Sequence, residues 1–477
     1  MKKIQIISGQ LSNEILKKRS VWVLIGLFNF LIIYAGITGI LQFNKLEEVR
    51  SKYQKEVRDS WVNSPDKHPH RMAHYGFIAL RPKSNLSFFD FGIESFTGNV
   101  IFLEAHKQNS TNFSEASVST SMLRFGEISI AMILQVLLPL FIFFIGFNAI
   151  SVDRENGTLK VLIAQGITWK ELLIGRILGL IQIVLYIFLP AIIITFLLGA
   201  FYSNSKVDWY NLIGLFIIYT ISIFIYCSIS IFVSAFISSS KLALVILIGL
   251  WLTFIVVIPR FAQMIASNVY ETPSKIAFES AIEEDILKHG DSHNPNDEHY
   301  KSLKDSILRA NNVDSVEQLN FNYDGFQMKE GERISSEIYS KHLQDLNLIY
   351  KKQNSFVEYA AFLNPYLCIK YLSMSLCNTD FETYIDFQQQ AEKYRYDLAQ
   401  EMNNLQIKLI PNKASPDSPK QNGIDKKYWS AFKDFKYSKP QLISVLHNMK
   451  FVIVSLFFWV VLVMILIQIF SKKLKVI

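Results

Sequence analysis

Cysteine, glycine and proline are all in short supply in this chain. Three cysteines in 477 residues cannot staple a fold, which excludes a disulfide scaffold. Cys227 lies in an apolar run and reads as a small core residue. Cys368 and Cys377 are near one another in sequence, and two unpaired helix cysteines are preferred to a disulfide. Only 20 glycines and 13 prolines are present, so long linkers, collagen-like stretches and low-complexity tails are excluded. There is no repeat of fixed short period. A GxxxxGK[ST] phosphate loop is missing, so the chain does not cradle ATP phosphates in the usual way. Acidic residues are missing from the middle of its apolar runs, where a proton- or sodium-coupled carrier would hold them.

What the chain has is long apolar runs. Half of its residues are hydrophobic, and they are gathered rather than spread over amphipathic elements. A bilayer core about 30 Å thick needs roughly 20 such residues in a helix. Residues 21–43, 128–150, 177–201, 212–237, 242–259 and 451–470 meet that need. The first run starts too late and is too long for a cleaved signal peptide.

Orientation follows from Lys and Arg in the short connections. Lys2, Lys3, Lys17, Lys18 and Arg19 precede the first span. Arg154, Lys160, Lys170 and Arg176 lie in 151–176, Lys241 sits in the turn before the fifth span, and Lys472, Lys473 and Lys475 lie in 471–477. With alternating spans all thirteen share one side, and set against Glu14, Asp153, Glu155 and Glu171 they give about +9, against +7 for the whole chain. The basic balance is therefore a topology signal that puts both termini in the cytoplasm, and it gives no reason to invoke nucleic acid.

The expected fold is an all-α polytopic membrane protein with six transmembrane helices and two mainly helical extracytoplasmic insertions, 44–127 and 260–450. Residues 1–20 read as a cytoplasmic interfacial helix, with Ile4, Ile7, Leu11 and Ile15 on one face. In the second insertion Ile334, Ile338, Leu346, Ile349, Phe356 and Ala360 share a stripe, as do Ala391, Tyr394, Leu398, Met402 and Leu405. A polar loop, 412–423, separates the latter from the last span. Within the spans the polar residues are Asn29, Gln135, Gln182 and a face of Tyr219, Ser222, Tyr226, Ser230 and Ser234, which suit helix packing and in part a dimer interface. Pro139 and Pro190 are expected to kink their helices.

Residues 151–176 read SVDRENGTLKVLIAQGITWKELLIGR. Thr158 can cap a short helix after Gly157, with Leu159, Leu162 and Ile163 as its apolar face. Gly166 ends it, and Thr168 can cap the next helix. Outside the spans, His68, His70, His74 and His106, with Asp90, could hold zinc or copper. The spacing fits no established metal motif, and hydrogen-bonded structural histidines are the preferred reading. The sequons at Asn85, Asn109 and Asn112 matter only in a eukaryotic secretory route.

The acid-rich approach to Gly157-Thr158-Leu159, then Leu162, then Trp169-Lys170-Glu171 to Gly175-Arg176, resembles the ABC-2 type transporter permeases. Many members have proline where this chain has Gly166-Ile167. His74-Tyr75-Gly76, Arg81-Pro82, Phe89-Asp90-Phe91-Gly92, Glu104-Ala105-His106, Pro259-Arg260, Asn364-Pro365 and the stretch from Asn378-Thr379-Asp380 to Tyr394-Arg395 are similar to one branch. That branch carries two large extracytoplasmic domains of unassigned function.

The resemblance implies a permease subunit of an ATP-driven exporter in the bacterial inner membrane. It implies a homodimer or heterodimer of permeases served by two ABC ATPase subunits that carry ATP and Mg, with no catalytic residue or cofactor in this chain. Asp153, Arg154, Glu155, Gly157, Thr158, Leu159 and Leu162 would form the coupling site, and a periplasmic partner could meet the insertions. The rival reading is a membrane-anchored scaffold or signalling subunit that binds a partner and transports nothing.

Overall fold

The computed structural model describes residues 2–109, 128–202, 208–290, 294, 297–413 and 423–473. Asn112, most of the 412–423 loop and Lys475 lie outside these residues. In chain order come α1 (Lys2–Leu16), α2 (Arg19–Val62), α3 (Pro69–Ala73), β1 (Phe77–Leu80) and β2 (Val100–Leu103). Then follow α4 (Ile130–Glu155), α5 (Thr158–Ala164), α6 (Trp169–Tyr202), α7 (Trp209–Phe236) and α8 (Ser240–Val269). The rest are α9 (Lys275–His289), α10 (Glu298–Ala310), α11 (Tyr323–Tyr359), α12 (Pro365–Leu376), α13 (Phe381–Leu409), α14 (Lys427–Ala431), α15 (Leu442–Asn448) and α16 (Lys450–Lys472).

Six of these, α2, α4, α6, α7, α8 and α16, are long and apolar enough to cross a membrane. The chain is a multi-pass, predominantly helical membrane protein. The apolar run expected to end at residue 43 continues as helix to Val62. Its 44 residues measure about 66 Å, twice the hydrocarbon thickness. α2 therefore carries the span rigidly into the first insertion, where Trp61 is buried. α8 likewise runs on past Pro259 to Val269. A π turn at Ile133–Leu137 precedes Pro139, and another at Thr253–Val257 precedes Pro259. Such a turn absorbs the hydrogen bond and the carbonyl clearance that proline denies an α-helix. Pro190 lies inside regular helix.

α1 buries Ile7, Leu11 and Ile15 with Ser8 and Ser12. This face packs on α6 at two glycines four residues apart. A Cβ on Gly175 would stand 2.7 Å from Ile7, and one on Gly179 would stand 2.9 Å from the Ser8 carbonyl oxygen. Small residues at this spacing let two backbones approach.

The insertions are separate in sequence but build one core. Trp61, Met72, Phe77, Ile101 and Leu103 from the first pack with Phe387, Ala391, Leu398, Met402 and Trp429 from the second. β1 and β2 form an antiparallel pair, Phe77 opposite Leu103, so the described part of the first insertion is less helical than expected. Tyr394 and Leu405 join the α13 stripe half-buried.

At the centre of this body Arg395 is 1% exposed and Glu332 0%. Their guanidinium and carboxylate meet at 2.6 Å, and Glu392 holds the other side of the guanidinium at 2.7 Å. Burial pushes the Glu332 carboxyl up, but the hydrogen bond from His106 and the Arg395 charge outweigh it and hold it at about 2.

Cys368 and Cys377 are free and buried. Nine residues of one helix separate them by roughly 13 Å, beyond the ~7 Å a disulfide tolerates.

Candidate functional site

The connection between α4 and α6 is a short helix on a bonded base. Gly157 (φ 75°) and Gly166 (φ 79°) lie in the left-handed region at either end of α5, a conformation open to glycine at no steric penalty. Between them Leu159 is buried, and Leu162 and Ile163 pack half-buried against the bundle. The opposite face, with Lys160, Val161, Ala164 and Gln165, is exposed, Val161 at 55%. Thr168 caps α6 in a capping box with Glu171.

Three charged side chains just before α5 bond to neighbouring helices. Asp153 accepts from the buried Arg176 of α6 at 2.6 Å. Arg154 donates to the carbonyls of Ala235 and Ile237, at 2.7 and 3.1 Å, where α7 ends. Glu155 accepts from the backbone N–H and hydroxyl of Ser240, at 2.7 and 2.9 Å, where α8 begins. A cation on a helix C-terminus and an anion on an N-terminus both match the helix dipoles. Ser234 accepts from the N–H groups of Ile150 and Ser151. Thr158 closes the base by donating to Asp153, and Lys3 reaches Gly166 from α1.

All seven sequence-identified residues thus lie in one unit, but they divide. Asp153, Arg154 and Glu155 bond to three spans, and Leu159 and Leu162 face the bundle. The outward side chains are Lys160, Val161, Ala164 and Gln165, which attention to the acidic and glycine residues missed. Their signal was present: they lie on the face opposite Leu159 and Leu162.

The face of α7 suggested for a dimer is buried within this chain. Tyr219 meets Gln135 at 2.7 Å and Ser373 at 3.0 Å. Ser373 and Gln135 also donate to Asp90, so Asp90 belongs to a network that joins α12 to the spans α4 and α7 and stands apart from the histidines. A Cβ on Gly146 would come within 2.3 Å of the Ser230 hydroxyl.

A family model described as a domain of unknown function, DUF3526, matches residues 275–438. This is about a third of the chain and covers α9 to α14. No curated protein matches the chain.

The histidines split. His70, His74 and His106 come together, with one ring nitrogen of each within 4.8 Å of the others. His68 instead caps α3, its Nδ1 accepting from the His70 N–H. Its pKa is lowered by burial and by Arg71.

Proposed function

We propose that the chain is the membrane-spanning permease subunit of an ATP-driven transporter of the ABC-2 type, working as an exporter. The rooting of α5 supports this most. One face of a short helix is free for a partner, while its base bonds to the ends of α6, α7 and α8. A push on α5 therefore reaches three spans through short polar contacts.

The basic excess on this end supports a cytoplasmic position in a bacterial inner membrane, with both termini inside and both insertions outside. Two ATPase subunits, which carry ATP and Mg, dock beneath a two-fold pair of permeases. Of the apolar stretch of α8, only 17% is buried, so this span has the most surface to give a second permease. Nucleotide binding biases a two-state arrangement of the spans.

The test is purification of the tagged chain from its native membrane after brief cross-linking, read by mass spectrometry. Wild type should bring down an ATPase with a phosphate loop. The Lys160→Glu, Val161→Glu double variant should lose it while keeping wild-type thermal unfolding. Recovery of no such ATPase with wild type, or its retention by the double variant, would sink the reading.

A further inference from the structure

We propose that His70, His74 and His106 form a binding site for a divalent transition-metal ion, best suited to Zn2+, on the folded body built by the two insertions. His70 and His74 are four residues apart, and the His74 N–H bonds to the His70 carbonyl. One helical turn thus presents both rings on the same side. His106 arrives from another element, the turn after β2, and the three ring centroids lie 4.7 to 5.4 Å apart.

The donor set is all imidazole, which suits zinc and copper and disfavours magnesium or calcium. Tetrahedral zinc with Zn–N near 2.0–2.1 Å needs ligand nitrogens ~3.3 Å apart. The present 4.8 Å limit is within reach of ring rotation, because His74 is exposed and the other two are half-buried. Three protein ligands leave a fourth position open, as at exchangeable rather than closed structural sites.

Two features indicate that the site is built. His106 has φ 62°, a strained conformation for a residue with a side chain. The buried Glu332 clasps it twice, accepting from its N–H at 2.9 Å and lying 3.2 Å from Nδ1. With Nδ1 held by a carboxylate, Nε2 is the ligating atom, and a carboxylate behind a ligating imidazole is the usual support for a metal histidine. Arg395 fixes Glu332 in turn. The second insertion thereby positions a ligand carried by the first.

The experiment uses the full chain in detergent, purified through a tag without histidine, stripped with chelator and titrated with Zn2+ by calorimetry. One equivalent should bind. His74→Ala, which alters an exposed side chain, should weaken binding at least 100-fold with unchanged unfolding in chelator, whereas His447→Ala, at an exposed histidine of α15, should bind as wild type does. Co2+ should give the visible bands of a four- or five-coordinate ion, lost in His74→Ala. No saturable binding to wild type, or equal binding by His74→Ala, would overturn the proposal.

Discussion

Replacing Arg395 by methionine removes a charge while keeping much of the side-chain volume. Glu332, at 0% exposure, would then be a buried carboxylate facing only the His106 turn. Removing one partner of a buried pair costs about 3–5 kcal/mol because the other charge is stranded. That is on the order of 10²- to 10⁴-fold in the opening equilibrium. Replacing both Arg395 and Glu332 by methionine removes the more buried of the two stranded carboxylates and leaves Glu392, 18% exposed, without its cation. The remaining loss, the acceptor of the His106 N–H and the cation partner of Glu392, should be about 1–3 kcal/mol. The assay is hydrogen exchange of α11 and α13 peptides in detergent, which reports local opening free energies. Arg395→Met should exchange much faster than wild type, and the double variant should recover part of the protection. A single variant within ~1 kcal/mol of wild type, or a double variant no better protected than the single, would refute the reasoning.

Gly179→Val places side-chain carbon where a Cβ alone would stand 2.9 Å from the Ser8 carbonyl oxygen. It should lift α1 from α6 at about 1–3 kcal/mol, seen as faster exchange confined to residues 2–16. The Glu358 carboxyl is raised to about 7 by burial, with Glu382 and Asp380 adding repulsion. Between the ordinary value near 4.3 and about 7 the folded state therefore holds more protons, so stability falls as pH rises. Glu358→Gln should flatten that slope and stabilise the protein above pH ~7 by about 1–2 kcal/mol, discounted for partial exposure, in thermal unfolding against pH. Arg154→Gln loses donors to the end of α7 without touching the outer face of α5. On the transporter reading proposed above, it should keep a partner ATPase bound while uncoupling ATP hydrolysis from transport, and loss of that ATPase would place Arg154 in the docking surface.

The spans were legible because uninterrupted apolar runs leave few alternatives, and α5 was legible because two glycines bracket one apolar face. Helix ends were harder to read. Nothing in the charged stretch from Lys45 to Trp61 marks the absence of a break, since a long helix leaving the bilayer needs only good helix formers. The shared core could not be read because Trp61 and Trp429 are 368 residues apart, and local periodicity carries no long-range pairing. For the histidines, the four-residue spacing of His70 and His74 was visible. The arrival of His106 depends on β1, β2 and a turn clasped by Glu332, all of it tertiary. The sequence also could not distinguish inward from outward polar residues beside α5, because Asp153, Arg154 and Glu155 find their partners on three other helices.

The buried face of α7 gives the two ends of the molecule a common element. Ser234 caps the turn before α5, Ser230 lies against Gly146, and Tyr219 joins Gln135, Ser373 and, through them, Asp90. The one carboxyl on this route is Asp90, which burial pushes up and which takes donors from Ser373, Gln135 and the Gly92 N–H. Hydroxyls and amides can be satisfied within a bundle at low electrostatic penalty, whereas unpaired charges cannot. The polar contacts are therefore made at the two ends of α7, while between them the buried hydroxyls of Ser230 and Tyr226 lack a hydrogen-bond partner. Contiguity alone does not transmit a signal, which also requires an element with two arrangements. The clamp of Arg154 and Glu155 on the α7–α8 turn is the place to seek it, because both are held by hydrogen bonds to helix ends that a rotation of α5 would break together.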